Sequence, residues 1–481
     1  MRVTVIGAGY VGTVTGACMA YFGHVVTVVD TDGAKVAKLA KGETPIYEPH
    51  LPELLKDAKA RGGIDFRCDL SDALAESDVI FIAVGTPPLA NGEANLADLE
   101  AAAHNIGAAM DSTRFRVVVN KSTVPVGCGN LVEALVREGI REAHPSAEST
   151  IRFAVASNPE FLSEGNALAD SLYPDRIVLG AEEQRTFELL QQLYRPLMEQ
   201  QFEAPAYLPR PSGLERVPVI TTTLTSAEMI KYAANSFLAT KISFANEMAN
   251  ICERVGASVK EVMAGIGLDS RIGARFLNAG LGWGGSCFGK DINALLHTAG
   301  EYGYRARLLE ATLEINRAQR LLAIQKLQEK LFILKGRTIA LLGLAFKPGT
   351  DDLRDAPSLL LAERLLQMGA RVKAYDPVAM GACRQQHPDL NVQYCSSAFE
   401  AAQDAHALVL VTEWEEFRQL DLAHIARVMA RAILVDGRNL YDPVAARQAG
   451  FDHTGFGILL RAASVLSRVA VEPPPEIVRV G

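Results

Sequence analysis

Residues 2–12, RVTVIGAGYVG, decide the fold of the first part of the chain. Residues 3–7 form a short apolar run rich in β-branched side chains, which predicts a buried strand. A helical stretch to Phe22 follows, then a second apolar strand at residues 25–29 that closes on Asp30. A strand–helix–strand unit with G-x-G-x-x-G at its first turn is typical of a Rossmann-like nucleotide-binding domain.

This unit predicts a cofactor site. Glycines at the turn allow a pyrophosphate to approach the backbone at a helix N-terminus, and an acid that closes the second strand binds ribose hydroxyls. Asp30 disfavours a 2′-phosphate, so NAD is expected rather than NADP. A glycine turn without any cofactor is the alternative. The cofactor-binding candidates here are Gly7, Gly9, Tyr10, Val11, Gly12 and Asp30.

Composition excludes several classes of protein. The 481 residues suffice for two or three domains, and 49% hydrophobic with 22% charged residues is typical of a globular protein. The net charge of −8 without a basic tract makes nucleic-acid binding an unfavoured expectation. No apolar run reaches the roughly 18 residues of a membrane span, and no signal-peptide pattern opens the chain. Seven cysteines without a C-x-x-C pair predict neither disulfides nor a metal site, and favour a reducing cytoplasm.

Further predicted strands end in polar or Gly/Pro loops near residues 84, 120 and 156. Ligands of open α/β sheets bind outside the carboxyl ends of the strands. Polar residues in these loops are therefore site candidates, although a single Ser, Thr or Glu is more often an ordinary turn or helix cap. These candidates are Thr86, Ser122, Thr123, Glu160 and Glu164.

The middle of the chain changes character. Prolines crowd residues 200–223, which predicts a surface loop and a domain boundary. Residues 225–228 match a capping box, and a long helix is expected to run from there to about Val255 and to end at Gly256. Lys231 and Asn235 lie four residues apart and share one face of that helix. A solvent-facing pair is the alternative to an anionic partner.

Residues 281–291, LGWGGSCFGKD, place Cys287 among glycines and just before a predicted helix. A cysteine in the first turn feels the positive end of the helix dipole, which would lower its pKa towards a reactive thiolate. Lys290 and Asp291 lie within one turn of it. Acyl chemistry is one hypothesis for this group. A buried cysteine in a tight turn, with the charges facing solvent, is the other.

The last third repeats the first in a weaker form. Strands are predicted at residues 337–342, 371–375 and 406–412, and Asp376 closes the second as Asp30 does. The predicted fold is therefore α/β, with two Rossmann-like doubly wound domains joined by a helical central domain. The expected limits are 1–205 for the NAD-binding domain, 206–318 for the central domain, 319–465 for the second nucleotide-binding domain and 466–481 for a disordered tail.

The motifs together resemble the UDP-glucose/GDP-mannose dehydrogenase family of nucleotide-sugar dehydrogenases. The matching segments are GAGYVG at 7–12, VGTP at 84–87, KSTVPVG at 121–127, NPEFLSEG at 158–165, SAEMIKYAAN at 226–235, RIG at 271–273, GGSCFGKD at 284–291, FKPGTDDLR at 346–354 and DGRN at 436–439. The resemblance spans nearly the whole chain. It implies four-electron oxidation of the C6 alcohol of UDP-glucose to the acid of UDP-glucuronate with two NAD, by a homodimer or larger homo-oligomer whose core is the long helix.

The resemblance also implies residue roles. Cys287 matches the nucleophile that passes through a thiohemiacetal and a thioester, and Lys231 and Asn235 match oxyanion stabilisers. The remaining catalytic matches are Asp291 and Thr123 for water and proton transfer, and Glu160 for an acid or base. Cofactor contacts are implied for Lys35, Thr86, Thr123, Glu164, Lys290 and Arg354. Substrate contacts are implied for Glu160, Phe161, Leu162, Glu164, Lys231, Asn235, Asn278, Leu281, Gly282, Gly284, Lys347 and Arg438, and Arg271 matches an arginine that reaches the neighbouring subunit.

Three features depart from the family pattern. They are Trp283 in place of a smaller aromatic residue, Asn278 in place of Lys, and the proline-rich segment 200–218 in the position of an insertion. The same chemistry on GDP-mannose or a UDP-N-acetylhexosamine is therefore an alternative. A two-electron dehydrogenase of β-hydroxyacids and a non-catalytic NAD-binding scaffold are alternatives of other classes.

Overall fold

The structure is a computed structural model, and it describes residues 1–89 and 91–458. The tail predicted at 466–481 lies outside these residues. None of the described helices combines the length and the apolar character needed to cross a bilayer.

The first sheet is built on the βαβ unit predicted from residues 2–30. Its strands follow the order β3-β2-β1-β4-β5-β6-β7-β8, and every neighbouring pair is parallel except β6–β7. The strands are β1 Arg2–Ile6, β2 Val25–Val29, β3 Ile64–Arg67, β4 Val79–Ile82, β5 Arg116–Asn120, β6 Phe153–Ser157, β7 Ile177–Gly180 and β8 Val219–Thr222. The helices are α1 Tyr10–Tyr21, α2 Gly33–Lys41, α3 Leu51–Ala60, α4 Leu70–Ala75, α5 Ala97–Ala108, α6 Cys128–Ala143, α7 Ala167–Leu172 and α8 Gln184–Met198.

Helices cover both faces of this sheet, which explains why its strands are apolar throughout. On β4, Val79 and Phe81 join the core on one face, and Ile80 and Ile82 join the core on the other. Alternation along a strand with both faces buried gives the continuous apolar runs seen in the sequence.

The proline-rich segment covers part of this domain. The Phe202 ring lies 4.9 Å from that of Phe22 and 6.1 Å from that of Tyr173, and Arg210 donates to the carbonyls of Gln200 and Phe202. The end of the predicted loop at 200–223 is a strand, β8, which pairs with β7. The segment is thus an integral cover of α1 and an edge of the first sheet.

The central part is helical. Its helices are α9 Leu224–Val255, α10 Val259–Gly267, α11 Phe288–Glu301 and α12 Arg307–Leu331. Helix α9 has 32 residues, about 48 Å, and ends at Gly256 in the left-handed conformation as predicted. The predicted capping box is wrong, because the helix begins earlier: Thr223 is the N-cap and accepts from the amide of Ser226. Glu228 instead accepts from the amides of Gly127 and Gly129 at the start of α6.

The second sheet repeats the topology of the first. Its order β11-β10-β9-β12-β13-β14 is that of β3-β2-β1-β4-β5-β6 one domain later, and all of its described pairs are parallel. The strands are β9 Thr338–Leu342, β10 Arg371–Tyr375, β11 Gln393–Tyr394, β12 Ala407–Leu410, β13 Ile433–Asp436 and β14 Asp452–Thr454. The helices are α13 Pro357–Gln367, α14 Met380–Gln386, α15 Ala398–Ala402, α16 Glu415–Arg418, α17 Leu422–Val428 and α18 Pro443–Gln448. The predicted fold class, two Rossmann-like domains around a helical centre, is confirmed.

The two closing acids, Asp30 and Asp376, differ in their environment. Asp376 is fully buried, and its oxygens accept from the amides of Leu344, Ala345, Val378 and Ala379 and from the Trp414 indole. An acid so engaged has no acceptor left for a ribose. The second domain therefore has no free acid at the position that corresponds to Asp30 of the first.

Candidate active site

The loops that carry the predicted site residues follow β1, β4, β5 and β6. These are carboxyl ends of parallel strands on either side of the point where the strand order reverses, between β1 and β4. Ligands of doubly wound sheets bind at such a switch point. Helices α9 and α11 and the loop after β9 add their side chains from the central and C-terminal domains.

A buried ion pair lies at the centre of the site. Lys231 Nζ lies 3.0 Å from Glu160 Oε1, and the two side chains are only 4% and 7% exposed. The other oxygen of Glu160 accepts from the amide of Leu162 at 2.8 Å, and the Phe161 ring lies 5.5 Å from Lys231 Nζ. The solvent-facing alternative for Lys231 is therefore excluded. Burial opposes its charge, but the nearby anions prevail and raise the pKa of Lys231.

Cys287 and Asp291 lie beside this pair. Cys287 is the N-cap residue of α11, one position before the predicted first turn, and the Asp291 amide donates to its carbonyl at 2.9 Å. Asp291 is 1% exposed and accepts from Asn235 Nδ2 and Lys290 Nζ, both at 2.6 Å. Asn235 on α9 and Asp291 on α11 thus hold the two helices in register at the cysteine.

The predicted lowering of the Cys287 pKa is wrong. Burial, followed by the negative charge of Glu160, raises the pKa of the thiol, and the positive charge of Lys231 only partly opposes this. The N-cap position alone does not ionise a thiol in this environment. A base would have to remove the proton of the thiol to give a thiolate.

Replacement of Glu160 tests this electrostatic balance. Glu160→Gln removes a negative charge that raises the pKa of Cys287. It also frees the Lys231 ammonium from its ion pair, and the positive charge of Lys231 lowers the pKa of Cys287. Both effects favour the thiolate. We expect alkylation of Cys287 by iodoacetamide at pH 8 to accelerate by about 3–10-fold, since one pKa unit changes the thiolate fraction by about tenfold. Mass spectrometry resolves the modified cysteine, and the exposed Cys68 serves as an internal control. An unchanged or slower alkylation rate at Cys287 would contradict the statement that the charge of Glu160 raises the pKa of this thiol.

Glu164 joins the N-terminal domain to the C-terminal one. Its carboxylate lies 3.1 Å from Arg354 Nη2 and accepts from Thr350 Oγ1 and Ser286 Oγ, both at 3.4 Å. Ser286 Oγ also lies 3.5 Å from Cys287 Sγ. Burial and the neighbouring charge of Asp352 raise the pKa of Glu164 to about 7, against the opposing charge of Arg354. The charge at this contact therefore changes near neutral pH.

Two other predicted substrate residues link segments around the site: Arg438 holds the cysteine loop to the second sheet, and Lys347 joins the C-terminal domain to the loop after β6. Arg438 donates to the carbonyls of Gly282 and Val411 at 2.8 and 2.7 Å, and Lys347 Nζ donates to Ser163 Oγ at 2.6 Å. Gly285 has a φ of +88°, and a Cβ there would lie 2.7 Å from the Phe346 ring. The glycines of this loop therefore also permit close packing against the C-terminal domain, in addition to any approach of a ligand.

Not every predicted residue reaches the cluster. Arg271 is 85% exposed and pairs with Asp269, and Asn278 is also exposed. Leu281 is fully buried in the core of the second sheet, which leaves only its backbone for a ligand. Trp283 points away into the central core, where its indole donates to Ser243 Oγ at 3.1 Å. The larger aromatic residue at this departure from the family pattern is therefore accommodated in the central core.

The cofactor end of the site fits a dinucleotide. A side chain at Gly12 would collide with the Gly7 carbonyl, so the tight turn requires glycine. Asp30 Oδ2 accepts from the Ala8 amide at 2.7 Å and from Lys35 Nζ at 3.0 Å, and Asp30 Oδ1 accepts from the Asp32 amide. Although burial opposes it, these donors lower the pKa of Asp30. The carboxylate therefore stands ionised beside the turn, and Thr86 donates to the Thr123 carbonyl at 2.8 Å on the neighbouring loops.

Sequence reasoning did not identify three residues that hydrogen-bond around Glu164. Ser286 and Thr350 donate to its carboxylate, and Glu48 accepts from the amide of the next residue, Gly165. Ser286 and Thr350 stand inside recognised motifs, but nothing in their local pattern marks them as partners of Glu164. Glu48 lies in a loop between α2 and α3 without periodicity, and only the folded chain shows that it is buried.

A dinucleotide fold, a second Rossmann-like domain and a buried site between them that holds a lysine–carboxylate pair and a cysteine are the features of a dehydrogenase. Three family models match the chain: the NAD binding domain, the central domain and the UDP binding domain of the UDP-glucose/GDP-mannose dehydrogenase family, at residues 1–198, 225–318 and 340–443. The chain belongs to this family.

Individual proteins similar to this chain include UDP-glucose dehydrogenases. The chain is 45% identical over 463 residues to a UDP-glucose 6-dehydrogenase of Pseudomonas aeruginosa, covering 95% of this chain and 97% of that protein. It is 42% identical over 457 residues to one of Bacillus subtilis, covering 95% and 98%. A solved UDP-glucose dehydrogenase from Pyrobaculum islandicum superimposes with a TM-score of 0.83 at 37% identity, covering 94% of this chain and 96% of that one.

Proposed function

We propose that the chain oxidises UDP-glucose to UDP-glucuronate with two NAD, which would supply precursors for polysaccharide synthesis. The observation that carries this proposal is the position of Cys287 beside the Lys231–Glu160 pair at the ligand-binding edge of an NAD binding domain. A dehydrogenase that stops at the aldehyde needs no nucleophile, whereas one that proceeds to the acid does. The names of the relatives at 42–45% identity support the choice of sugar nucleotide.

NAD, when bound, accepts a hydride from the sugar carbon in each oxidation. The Gly7–Gly12 turn and Asp30 would hold it, with Thr86, Thr123, Lys290 and Arg354 in the surrounding loops. Lys231 and Asn235 would stabilise the developing oxyanions, as fixed donors in a buried site do. Cys287 would add to the aldehyde carbon and form a thiohemiacetal, whose carbon would give up the second hydride to NAD and become a thioester. Water positioned by Asp291 and Thr123 would hydrolyse this thioester to the acid and the free thiol, with Glu160 exchanging protons.

The number of NADH formed per sugar consumed tests the proposal. Two NADH and one acid are expected with UDP-glucose. One NADH and an accumulating aldehyde would favour a two-electron enzyme, and none would favour a scaffold. GDP-mannose and UDP-N-acetylmannosamine belong in the same panel. A higher kcat/KM for either of these than for UDP-glucose would mean that it is the substrate, with the same four-electron chemistry.

Cofactor choice provides a second test. A 2′-phosphate would face the Asp30 carboxylate, and like charges in contact cost several kcal/mol, so we expect kcat/KM with NADP to be lower than with NAD by about 100-fold or more. Asp30→Ala should narrow that ratio by raising the NADP value, because Lys35 is then free of its partner. Equal use of both cofactors by the unaltered enzyme would contradict the role given to Asp30.

We further propose that two copies associate through α9. Phe237, Phe244 and Ile251 recur every seven residues on this helix with exposures of 65%, 43% and 45%, on a face remote from the buried Lys231. An apolar stripe of this kind on a rigid rod marks an interaction surface. We propose that a second copy of the chain covers this stripe, in the homodimer or larger homo-oligomer that the resemblance implies.

Light scattering after size exclusion tests the dimer. The unaltered protein should have at least twice the mass of one chain, and Phe244→Glu should reduce it to that of one chain because a charge then lies in the apolar interface. Val444→Glu introduces the same charge at an exposed apolar site of the C-terminal domain, and should leave the mass unchanged. A monomeric unaltered protein would refute the proposal.

The domain limits and the cytoplasmic location are also proposals. Because β8 pairs with β7 in the first sheet, we propose that the first domain ends at about residue 222, just before α9, and not at the predicted residue 205. For the central domain we propose the predicted end at residue 318, and for the sugar-nucleotide domain the predicted end at residue 465. Seven free thiols, most of them buried, support a reducing compartment.

A further inference from the structure

Glu48 is a buried carboxylate outside every motif described above. It is 5% exposed and lies in the loop between α2 and α3. One oxygen accepts from the Tyr10 hydroxyl and from the Gly165 amide at 2.7 Å. The other accepts from the amides of Ala167 and Leu168 at 2.7 and 3.3 Å. A single side chain therefore gathers four donors from two separate segments.

The two segments belong to different parts of the site. Tyr10 is the first residue of α1 and follows the glycine turn that would hold the cofactor. Gly165 directly follows Glu164, and Ala167 and Leu168 are the first two residues of α7. The N-cap residue of α7, Asn166, makes no capping hydrogen bond with its own side chain, so Glu48 caps the helix from a distance. The Tyr10 hydroxyl also accepts from the Gly165 amide at 2.8 Å, which closes the network.

This network ends at the contact between the two Rossmann-like domains. Glu164 meets Arg354 and Thr350 of the C-terminal domain and Ser286 beside the nucleophile. The backbone of Gly165 packs against that of Gly349, since a Cβ on Gly165 would lie 2.6 Å from the Gly349 carbonyl oxygen. The Glu164 loop is therefore part of the contact between the N-terminal and C-terminal domains beside the cysteine.

We propose that Glu48 is a positioning residue that ties the cofactor turn to the Glu164 loop and so holds the interdomain contact at Cys287. It acts through Glu164 and does not itself touch the reacting atoms. This inference rests on the proposed function only for its kinetic readout, because its structural readout needs no substrate.

The chemistry requires a carboxylate. Only an ionised acid offers acceptors to all four donors at once, and such charge-assisted bonds are roughly twice as strong as neutral ones. Glutamine would turn its NH₂ towards one pair of donors and leave that pair unsatisfied. Aspartate keeps the charge, but its side chain is one methylene shorter and cannot span both segments.

Glu48→Gln is the first test. We expect kcat to fall by about tenfold or more, while KM for NAD stays within about twofold because neither Asp30 nor the glycines of the turn contact Glu48. With NAD alone, hydrogen exchange of the Gly165, Ala167 and Leu168 amides should accelerate by at least about tenfold, and exchange in β1 and β4 should not change. Glu48→Asp should give a smaller loss in both measurements, and it carries the test if the glutamine variant does not fold. Glu53→Gln, an exposed acid on α3, is the matched control and should behave as the unaltered protein.

A double-mutant cycle distinguishes positioning from a general loss of stability. Glu48→Gln should cost kcat less than about twofold when Glu164→Gln is already present, because the residue through which it acts is gone. Equal losses in both backgrounds, or unchanged amide exchange in Glu48→Gln, would overturn the proposal. If UDP-glucose is not oxidised at all, the proposed function fails, and the exchange measurement still decides the role of Glu48.

Discussion

Replacement of Cys287 by serine is expected to separate the two oxidations. The first, alcohol to aldehyde, needs a base and geometry but no thiol. The second needs a covalent adduct that can give up a hydride, and a serine hydroxyl is a far poorer nucleophile than a thiolate. From UDP-glucose and NAD, acid formation should fall by about 10³-fold or more, as removal of a nucleophile does in other covalent enzymes. From the 6-aldehyde and NADH, the variant should still form the alcohol.

The surroundings of Cys287 make this experiment informative. The sulfur lies 3.5 Å from Ser286 Oγ, and the residue begins α11, so serine should fit without disturbing the helix. Mass spectrometry of the Cys287→Ser variant would detect at most an ester trapped on the introduced hydroxyl. Cys68→Ser, at an exposed site, is the control and should leave both reactions unchanged. Acid formation near the normal rate would remove Cys287 from the mechanism and restore the interpretation of a buried turn residue.

The fold was predictable because its signals are local. Runs such as VTVIG and DVIFIAV mark strands buried on both faces, and an acid after the second strand recurs in each half of the chain. The similarity of the two halves predicted two Rossmann-like domains, and the strand orders agree. The different roles of Asp30 and Asp376 were not predictable, because the donors that saturate Asp376 come from Trp414 and from backbone amides placed by folding.

The electrostatics of the site depend on distant residues. The prediction of a lowered Cys287 pKa used only its neighbours in sequence and the helix that follows. The decisive charge comes from Glu160, which is 71 residues from its partner Lys231 in the chain and reaches the thiol only in the folded protein. Burial, the largest cause of the shift, has no local signature either. For the same reason, Glu228 was predicted to cap its own helix but binds the start of another.

Replacement of Lys231 should have two separate effects, because this lysine forms an ion pair with Glu160. Lys231→Met should lower kcat by about 10²–10³-fold, the usual consequence of removing one oxyanion donor. It should also destabilise the fold, because a buried carboxylate left without its partner costs about 3–5 kcal/mol. A low activity alone would therefore not reveal which of the two is responsible.

The double variant Lys231→Met with Glu160→Gln separates these effects. It removes both charges at once, so the free energy of unfolding should recover most of its loss, since replacing a buried pair by neutral groups is close to neutral. The kcat should stay low, because the double variant lacks both the cation near the reacting oxygen and the carboxylate that would exchange protons. Lys241→Met, on the same helix but outside the pair, should change neither quantity. If kcat recovers together with stability in the double variant, Lys231 supports the structure of the site and not its chemistry.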